Sequence, residues 1–416
     1  MLRPPILLRD NAPFRRFWAG QTISLFGDQV SPLAIPLLAV LTLHADAGQM
    51  GLLAAVELAP YLLFAIHVGA WASGRRGRAL LIAADLGRAA LLLSIPLAAA
   101  LGDLSIGLLY AVAFGVGTLG VIFDVAYETV FAQLVDPADY VVANSLLVGS
   151  RSVSIVGGKS AGGLLVAALS APVAIVVDAL SYLGSALFVR RTPVLDPAGS
   201  AAEPGGLGAG IRFIARTRLL RTTLAAVATL NLFNSAFWAM LVLFATKELG
   251  LGAGAIGLAL GIGALGSVLG SAVAAPLSRR FGLGKAVVAA FVLGPAPLVL
   301  VALAPGSPLP GALLLTVAEF LSGVGIMLLD IGLGSVQTAL IPDHLRARVA
   351  GAYIFVNWGI RPVGALAGGV LAGAVGLRPT MWIASIGALT AVLWLLPSGL
   401  SRVRRVSAHA GLTFSG

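Results

Sequence analysis

The sequence contains no cysteine in 416 residues, only four histidines, and few charged side chains. Without cysteine there is neither a disulfide framework nor a thiolate metal site. The histidines, His44, His67, His344 and His409, lack metal-ligand spacing, and residue order offers no Ser-His-Asp grouping. Metal sites and nucleophilic catalysis are therefore not expected. Charged residues make up 11% of the chain, against about 25% in an ordinary globular domain. Long polar segments are missing too. The longest stretch outside apolar runs is about 30 residues, too short for a nucleotide-hydrolysing domain. The N-terminal "MLRPPILLRDNAPFRRF" has no short apolar region followed by a small-residue cleavage site, so the first span is expected to remain as an anchor.

What the chain has instead is apolar surface. Hydrophobic residues make up 58% of it and the mean hydropathy is +0.99. The apolar residues lie in continuous runs of roughly 20, the length that crosses a bilayer as helix. Continuous runs, rather than alternation with period two, point to helices and not to a barrel. Spans are expected near 18–43, 48–72, 79–101, 104–133, 140–169 and 171–189. A further six are expected near 222–246, 254–277, 285–304, 309–338, 346–374 and 378–397. The fold class is an all-α membrane protein of about twelve transmembrane helices.

Lys and Arg number 27 against 17 Asp and Glu. They cluster in alternate connections: Arg3, Arg9, Arg15 and Arg16; Arg75, Arg76 and Arg78; Arg190 to Arg221; Arg279, Arg280 and Lys285; Arg346 and Arg348; Arg402, Arg404 and Arg405. The opposite connections hold little beyond Lys247 and Arg378. This is a topology signal, placing both termini in the cytoplasm, and it argues against nucleic acid as a partner.

The stretch "TPVLDPAGSAAEPGGLGAG" from Thr192 divides the chain. The expected organisation is a six-helix bundle over 1–191, a cytoplasmic linker over 192–217 and a second six-helix bundle over 218–416. Self-similarity supports duplication. "ASGRRGRALLIAA" resembles "LSRRFGLGKAVVAA", with Ser73 and Ser278 205 residues apart, and "GKSAGG" resembles "GALAGG", with Gly162 and Gly368 206 apart. Parallel six-helix repeats of this kind characterise one large transporter class. "VGGKSAGG" at 156–163 also imitates a phosphate-binding loop, but G-x-x-x-x-G-K-[ST] needs glycine where Val153 stands.

Several of these stretches resemble the major facilitator superfamily, in particular its drug and siderophore exporter branch of enterobactin-exporter-like and macrolide-efflux-like proteins. "GAWASGRRGR" is similar to the loop signature G-x-x-x-D-R-x-G-R-[RK]: Gly69, Arg75, Arg76 and Arg78 match, while Ser73 and Gly74 stand in place of Asp and Arg. "GKSAGG" is similar to the antiporter signature G-P-x-x-G-G through Gly158, Gly162 and Gly163, with Lys159 in place of proline. "FGDQVS", "DLGRA", "ANSLLVGSRS" and "NWGIRPVGALAGG" resemble the same branch. The resemblance implies two pseudo-symmetric bundles and export of a small amphipathic compound, such as a drug, antibiotic or siderophore, in exchange for protons. It implies a monomer in the bacterial inner membrane, with substrate and lipid as partners and no cofactor beyond the proton gradient. Uptake or uniport of a nutrient or lipid, a non-transporting receptor and a membrane-embedded enzyme are the rival readings.

Charges inside spans cost about 2.5 to 3.5 kcal/mol each, so each needs a partner or a task. They are Asp28, Glu57, Asp85, Arg88, Asp124, Glu128, Arg151, Lys159, Asp178, Glu319, Asp330 and Arg361. Asp28 precedes Pro32 and Pro36 and suits either a proton or substrate site or a satisfied structural acid. Asp124 and Glu128, at i, i+4, form a titrating pair or simply reach cytoplasmic water. Asp85 and Arg88, three apart, suit a structural gate, with Arg75, Arg76, Arg78 and Arg151 as further gate or structural charges. Lys159, Arg151 and Arg361 are counterions across the cavity or helix-to-helix stitching. Glu57, Asn231 and Glu319 join Asp28, Asp124, Glu128, Lys159 and Arg361 as expected cavity residues. Gly158, Gly162 and Gly163 are the expected close-packing motif. Phe233, Phe237 and Trp238 fit lipid-facing or packing roles, with Asn231 and Asn234 beside them as a cavity face.

Overall fold

A computed structural model of the chain describes residues 6–72, 75–193, 207–342, 345–407 and 411–414. Arg3, Ser73, Gly74, the linker stretch 194–206, His344 and His409 lie outside them. Twelve helices among the described residues are long and apolar enough to cross a membrane. Spans one to six are Ala12–Leu41, Ala47–Phe64, Gly77–Leu101, Ile106–Leu134, Pro137–Leu169 and Ala171–Arg190. Spans seven to twelve are Arg218–Lys247, Ala253–Phe281, Leu283–Leu303, Pro308–Leu340, Arg348–Val375 and Leu377–Ser398. The helices keep large apolar residues outside: Leu309 and Leu396 are 72% and 73% exposed, a surface that water would reject and acyl chains accept.

The chain divides into two compact units, Met1–Ala45 with Val56–Pro204, and Asp46–Ala55 with Gly205–Gly416. In the first unit Phe14, Phe17, Leu81, Val130 and Val189 lie within one buried cluster. In the second, Val287, Phe291, Leu329, Val336 and Leu395 belong to another.

Span one is not continuous. It runs as helix over Ala12–Gly27, turns at 28–30 and restarts over Ser31–Leu41. Pro32 explains the interruption, because its ring has no N–H for the carbonyl four residues back and clashes with it, and that carbonyl belongs to Asp28. Span seven contains no proline and runs unbroken over Arg218–Lys247.

Glycines fix how spans five and eleven pack. A Cβ at Gly158 would stand 2.7 Å from Gln29 Cβ and 3.0 Å from the Phe26 carbonyl oxygen, and one at Gly162 3.2 Å from Val30 Cα. In the second unit a Cβ at Gly364 would collide with the Leu232 carbonyl oxygen, and one at Gly368 would stand 2.8 Å from Ala236 Cα. Gly163 is buried on span five. Phe26 and Leu232, Val30 and Ala236, Gly158 and Gly364, and Gly162 and Gly368 are each 206 residues apart. Both units thus repeat one helix contact at a single offset.

Two elements depart from the sequence reading. Part of the expected linker, Leu207–Arg216, is helical. It docks within the second unit because Gly210 abuts the Arg348 carbonyl and Ile214 joins Val349, Ala352 and Tyr353 in a buried cluster, leaving Arg212 and Arg216 exposed. The basic C-terminal tail, read from sequence only as a topology signal, forms an antiparallel hairpin of Val403–Ser407 and Gly411–Phe414. Buried Val403 anchors it to the second core.

Candidate functional site

The break in span one opens onto span six. Gly27 permits the approach, since a Cβ there would come 2.6 Å from Asp178 Oδ1 and 2.7 Å from Ser181 Cβ. Ser31, the first residue of the second half-helix, donates its hydroxyl to Asp178 Oδ2, and Ser181 donates to Asp178 Oδ1 at 3.4 Å. The Tyr182 hydroxyl donates to Asp28 Oδ1 at 2.5 Å. Span three adds an ion pair, Arg88 Nη2 to Asp85 Oδ1 at 2.5 Å. The Arg88 guanidinium also lies 4.2 Å from the Tyr182 ring centre and 4.3 Å from that of Phe123, within cation–π range. Asp85 and Asp178 have no exposed surface and Arg88 is 6% exposed.

The remaining candidates of this unit are more open. Asp124 on span four accepts from the Tyr61 hydroxyl at 3.0 Å, and Glu128 lies exposed one turn further along. Glu57 and Arg151 are exposed, and Lys159 is half-buried on span five beside Gly158. Of the loop arginines, Arg75 stacks over Trp71 at 3.8 Å and Arg78 donates to the Thr192 carbonyl at 3.2 Å, closing the end of span six. Arg76 sits at the start of the span-three helix.

The second unit encloses a cavity of about 290 Å³ between spans seven, eight, ten and eleven. Glu319, Asp330 and Arg361 line it together with Asn231, Asn234, Asn357 and Trp238. Asn231 Nδ2 donates to Asn357 Oδ1 at 2.8 Å and to the Val227 carbonyl at 2.9 Å. Arg361 Nη2 donates to the same Asn357 oxygen at 3.3 Å. Its guanidinium lies 4.2 Å from the Trp358 ring centre, and its Nε is buried with no hydrogen-bond partner. The arginine is held by one amide and one ring, with donor capacity left over. Leu230, Ile326, Leu329 and Leu333 supply apolar wall, so the cavity can take a molecule with both polar and apolar parts.

Three of the expected cavity residues, Asn231, Glu319 and Arg361, therefore share one cavity, and the others belong to the first unit. Trp238 lines the cavity rather than facing lipid, while Phe237 is buried packing. Asp330 and Asn357 were given no role from sequence. The repeat offset identifies them: Asp330 lies 206 residues after Asp124, and Asn357 206 after Arg151. Helical spacing adds a second signal, because Glu319 and Asp330 are eleven residues apart, three turns on one face.

Comparison with known proteins matches this architecture. The family model described as transmembrane secretion effector covers residues 7–413. No curated protein matches the chain. A bacterial homologue of the iron transporter ferroportin is 17% identical, with 95% of this chain and 100% of that one covered and a TM-score of 0.71. A bacterial homologue of the human lysosomal transporter Spinster is 14% identical over 95% and 98% of the two chains, with a TM-score of 0.72. The nucleoside transporter NupG is 14% identical over 92% and 98%, with a TM-score of 0.70. At these identities the likeness is one of fold, and those folds are of the major facilitator type. A family match over nearly the whole chain, carried on twelve spans in two repeated units, shows that this protein belongs to the transmembrane secretion effectors of the major facilitator superfamily: it is a membrane transporter and not an enzyme.

Proposed function

We propose that the protein exports a small amphipathic compound, of the drug, antibiotic or siderophore kind, from the bacterial cytoplasm in exchange for protons by alternating access. The cavity of the second unit carries the reading. It sets two carboxyl groups, a guanidinium and three asparagines beside leucine, isoleucine and tryptophan, deep within apolar helices. Polar groups there are costly unless used, and their mixture with apolar wall suits an amphipathic cargo. Carboxyl groups lining the same space as the cargo give a direct route to exchange, because proton and substrate compete for the same negative charge. The basic connections support cytoplasmic termini and the bacterial inner membrane as its place. Substrate and lipid are the partners of this reading, with a monomer as the working unit.

The test is transport by the purified full chain in proteoliposomes, with a macrolide antibiotic and a cationic dye as probes. Export driven by an imposed pH gradient and abolished by a protonophore is the expected result. Export indifferent to the protonophore rejects exchange for protons, and gradient-driven movement into the cytoplasm-equivalent compartment rejects export. Arg361→Ala is expected to weaken probe binding about tenfold, the loss of roughly one good charged hydrogen bond, without lowering the melting midpoint.

A further inference from the structure

Outside the second-unit cavity, the described residues hold a cluster of buried charges at the contact between the break of span one and span six. We infer that Asp178 is a proton-binding site of this transporter, and that proton binding there acts on the break in span one. The inference rests on the exchange for protons proposed above, and it adds a location and a moving part that the cavity residues do not supply.

The charges of the cluster do not balance. Asp28, Asp85 and Asp178 all interact with the one buried guanidinium, that of Arg88. Three ionised carboxylates against that cation, with the exposed Arg151 acting on Asp28 from span five, still leave uncompensated negative charge, and a proton is the simplest neutraliser. The three carboxyl groups also differ in their partners. Asp85 holds Arg88 directly, at 2.5 Å. Asp28 is half-buried and accepts from Tyr182, whose ring stacks on Arg88. Asp178 has no exposed surface, and among the described residues its hydrogen bonds run to the hydroxyls of Ser31 and Ser181. A hydroxyl both donates and accepts, so this pair can satisfy an ionised or a protonated carboxyl by reversing one O–H. No cation could serve both states.

Span six also reaches Asp85. Ser185, one turn after Ser181, acts on the Asp85 carboxyl through a contact longer than the ion pair that Asp85 makes with Arg88. Ser181 and Ser185 thus extend the polar face of span six beyond Asp178 along a single helix stripe. Charged and titratable groups act on Asp178 from span one through Asp28, from span three through Arg88, which itself holds Asp85, and from its own helix through Tyr182. Span five contributes Arg151, which acts on Asp28 through space, and carries Lys159 further along.

The moving part follows from connectivity. Ser31 opens the half-helix Ser31–Leu41, and Pro32 beside it keeps that half-helix from fusing with Ala12–Gly27. Gaining or losing a proton at Asp178 changes which of the two oxygens donates across this joint, and with it the hold of span six on the upper half of span one.

Infrared spectroscopy of the full chain in lipid nanodiscs, titrated with acid and base, tests this with protons as the only ligand. In wild type the carbonyl stretch of a protonated buried carboxyl should be present at neutral pH and vanish at alkaline pH. Asp178→Asn should remove a component of that band, while Asp28→Asn, Asp124→Asn and Glu128→Gln leave that component in place. A band unchanged in Asp178→Asn, or a component lost in Asp28→Asn instead, overturns the assignment. Should Asp178→Asn fail to fold, Ser31→Ala decides. It is expected to move the titration midpoint about tenfold in proton concentration, and an unmoved midpoint overturns the inference. Transport indifferent to a protonophore, with the Asp178 band intact, would reject the exchange reading alone; proton-driven transport without that band would reject the site alone.

Discussion

The two units share a plan and spend their polar residues differently. At the offset of 206 residues, Asp28, Tyr61, Asp124 and Arg151 of the first unit correspond to Asn234, Ser267, Asp330 and Asn357 of the second. All four of the latter line the second-unit cavity. The repeat therefore keeps these positions polar: Asp28 and Arg151 give way to amides, Tyr61 to a smaller hydroxyl, and the carboxyl of Asp124 recurs as Asp330. Behind them the units diverge completely. Asp85, Arg88, Asp178 and Tyr182 correspond to Phe291, Gly294, Ala384 and Ala388, and Phe291 and Ala388 sit in the apolar core of the second unit. One ancestral helix contact has thus been filled with an ionic cluster in one copy and with hydrocarbon in the other. Fold alone does not require the charges, since the second unit packs the same places without them. Their presence in the first unit is what the proposed proton site accounts for, and the proline that breaks span one, matched by Trp238 in unbroken span seven, sits beside them.

The strongest way to break this comparison is to make the first unit resemble the second. Arg88→Met leaves Asp85 buried without its cation and is expected to cost about 3 to 5 kcal/mol, read as a large fall in the melting midpoint in detergent. Arg88→Met combined with Asp85→Leu should recover most of that loss, because apolar pairs replace buried ion pairs at little cost. Failure of the double variant to recover would show that the cluster is structural, contrary to the comparison.

A smaller effect distinguishes the repeated glycine contacts. Gly364→Ala drives a methyl into the Leu232 carbonyl of an unbroken helix, which cannot yield, and is expected to cost about 1 to 3 kcal/mol. Gly158→Ala meets the Gln29 side chain first, at 2.7 Å, within the turn at 28–30. It should destabilise less and disturb transport more, since the turn can shift. Equal melting midpoints for the two variants would sink the idea that the break in span one makes that joint compliant.

These asymmetries were unevenly legible. The spans could be read directly because hydrocarbon thickness imposes their length, and the break because Pro32 forbids the bond to Asp28. Asp85 and Arg88 could be paired from spacing alone, as neighbours one turn apart. The pairings across spans, Tyr182 with Asp28, Ser31 with Asp178 and Asn231 with Asn357, could not. A helix apolar on all sides gives no signal of its rotation, so hydropathy cannot say which face meets which neighbour. Asp330 was within reach through the repeat offset from Asp124, a step that needed the duplication to be applied residue by residue. The hairpin at the C-terminus was hidden because its arginines read as a topology signal rather than as a strand.

The least costly asymmetry lies at the far end of the second unit. Arg378, at the start of span twelve, donates to the carbonyls of Ala302 and Ala304 at 2.9 and 2.7 Å, where span nine ends. It also stands 3.7 Å from Glu248, with both side chains about a third exposed. The residue 206 positions earlier is Pro172, which has no side chain able to do this. Helix ends leave carbonyls unpaired, and a guanidinium that reaches two of them supplies charge-assisted bonds, whereas the half-exposed pair with Glu248 contributes little. Arg378→Ala should therefore cost about 1 kcal/mol, Glu248→Ala should cost less, and Arg378→Lys should fall between Ala and wild type, because both bonds come from the single nitrogen Nη1 and an ammonium can also donate twice. If Glu248→Ala instead lowers the melting midpoint as far as Arg378→Ala does, the ion pair and not the helix end is what the arginine serves, and the second unit holds a working charge pair of its own.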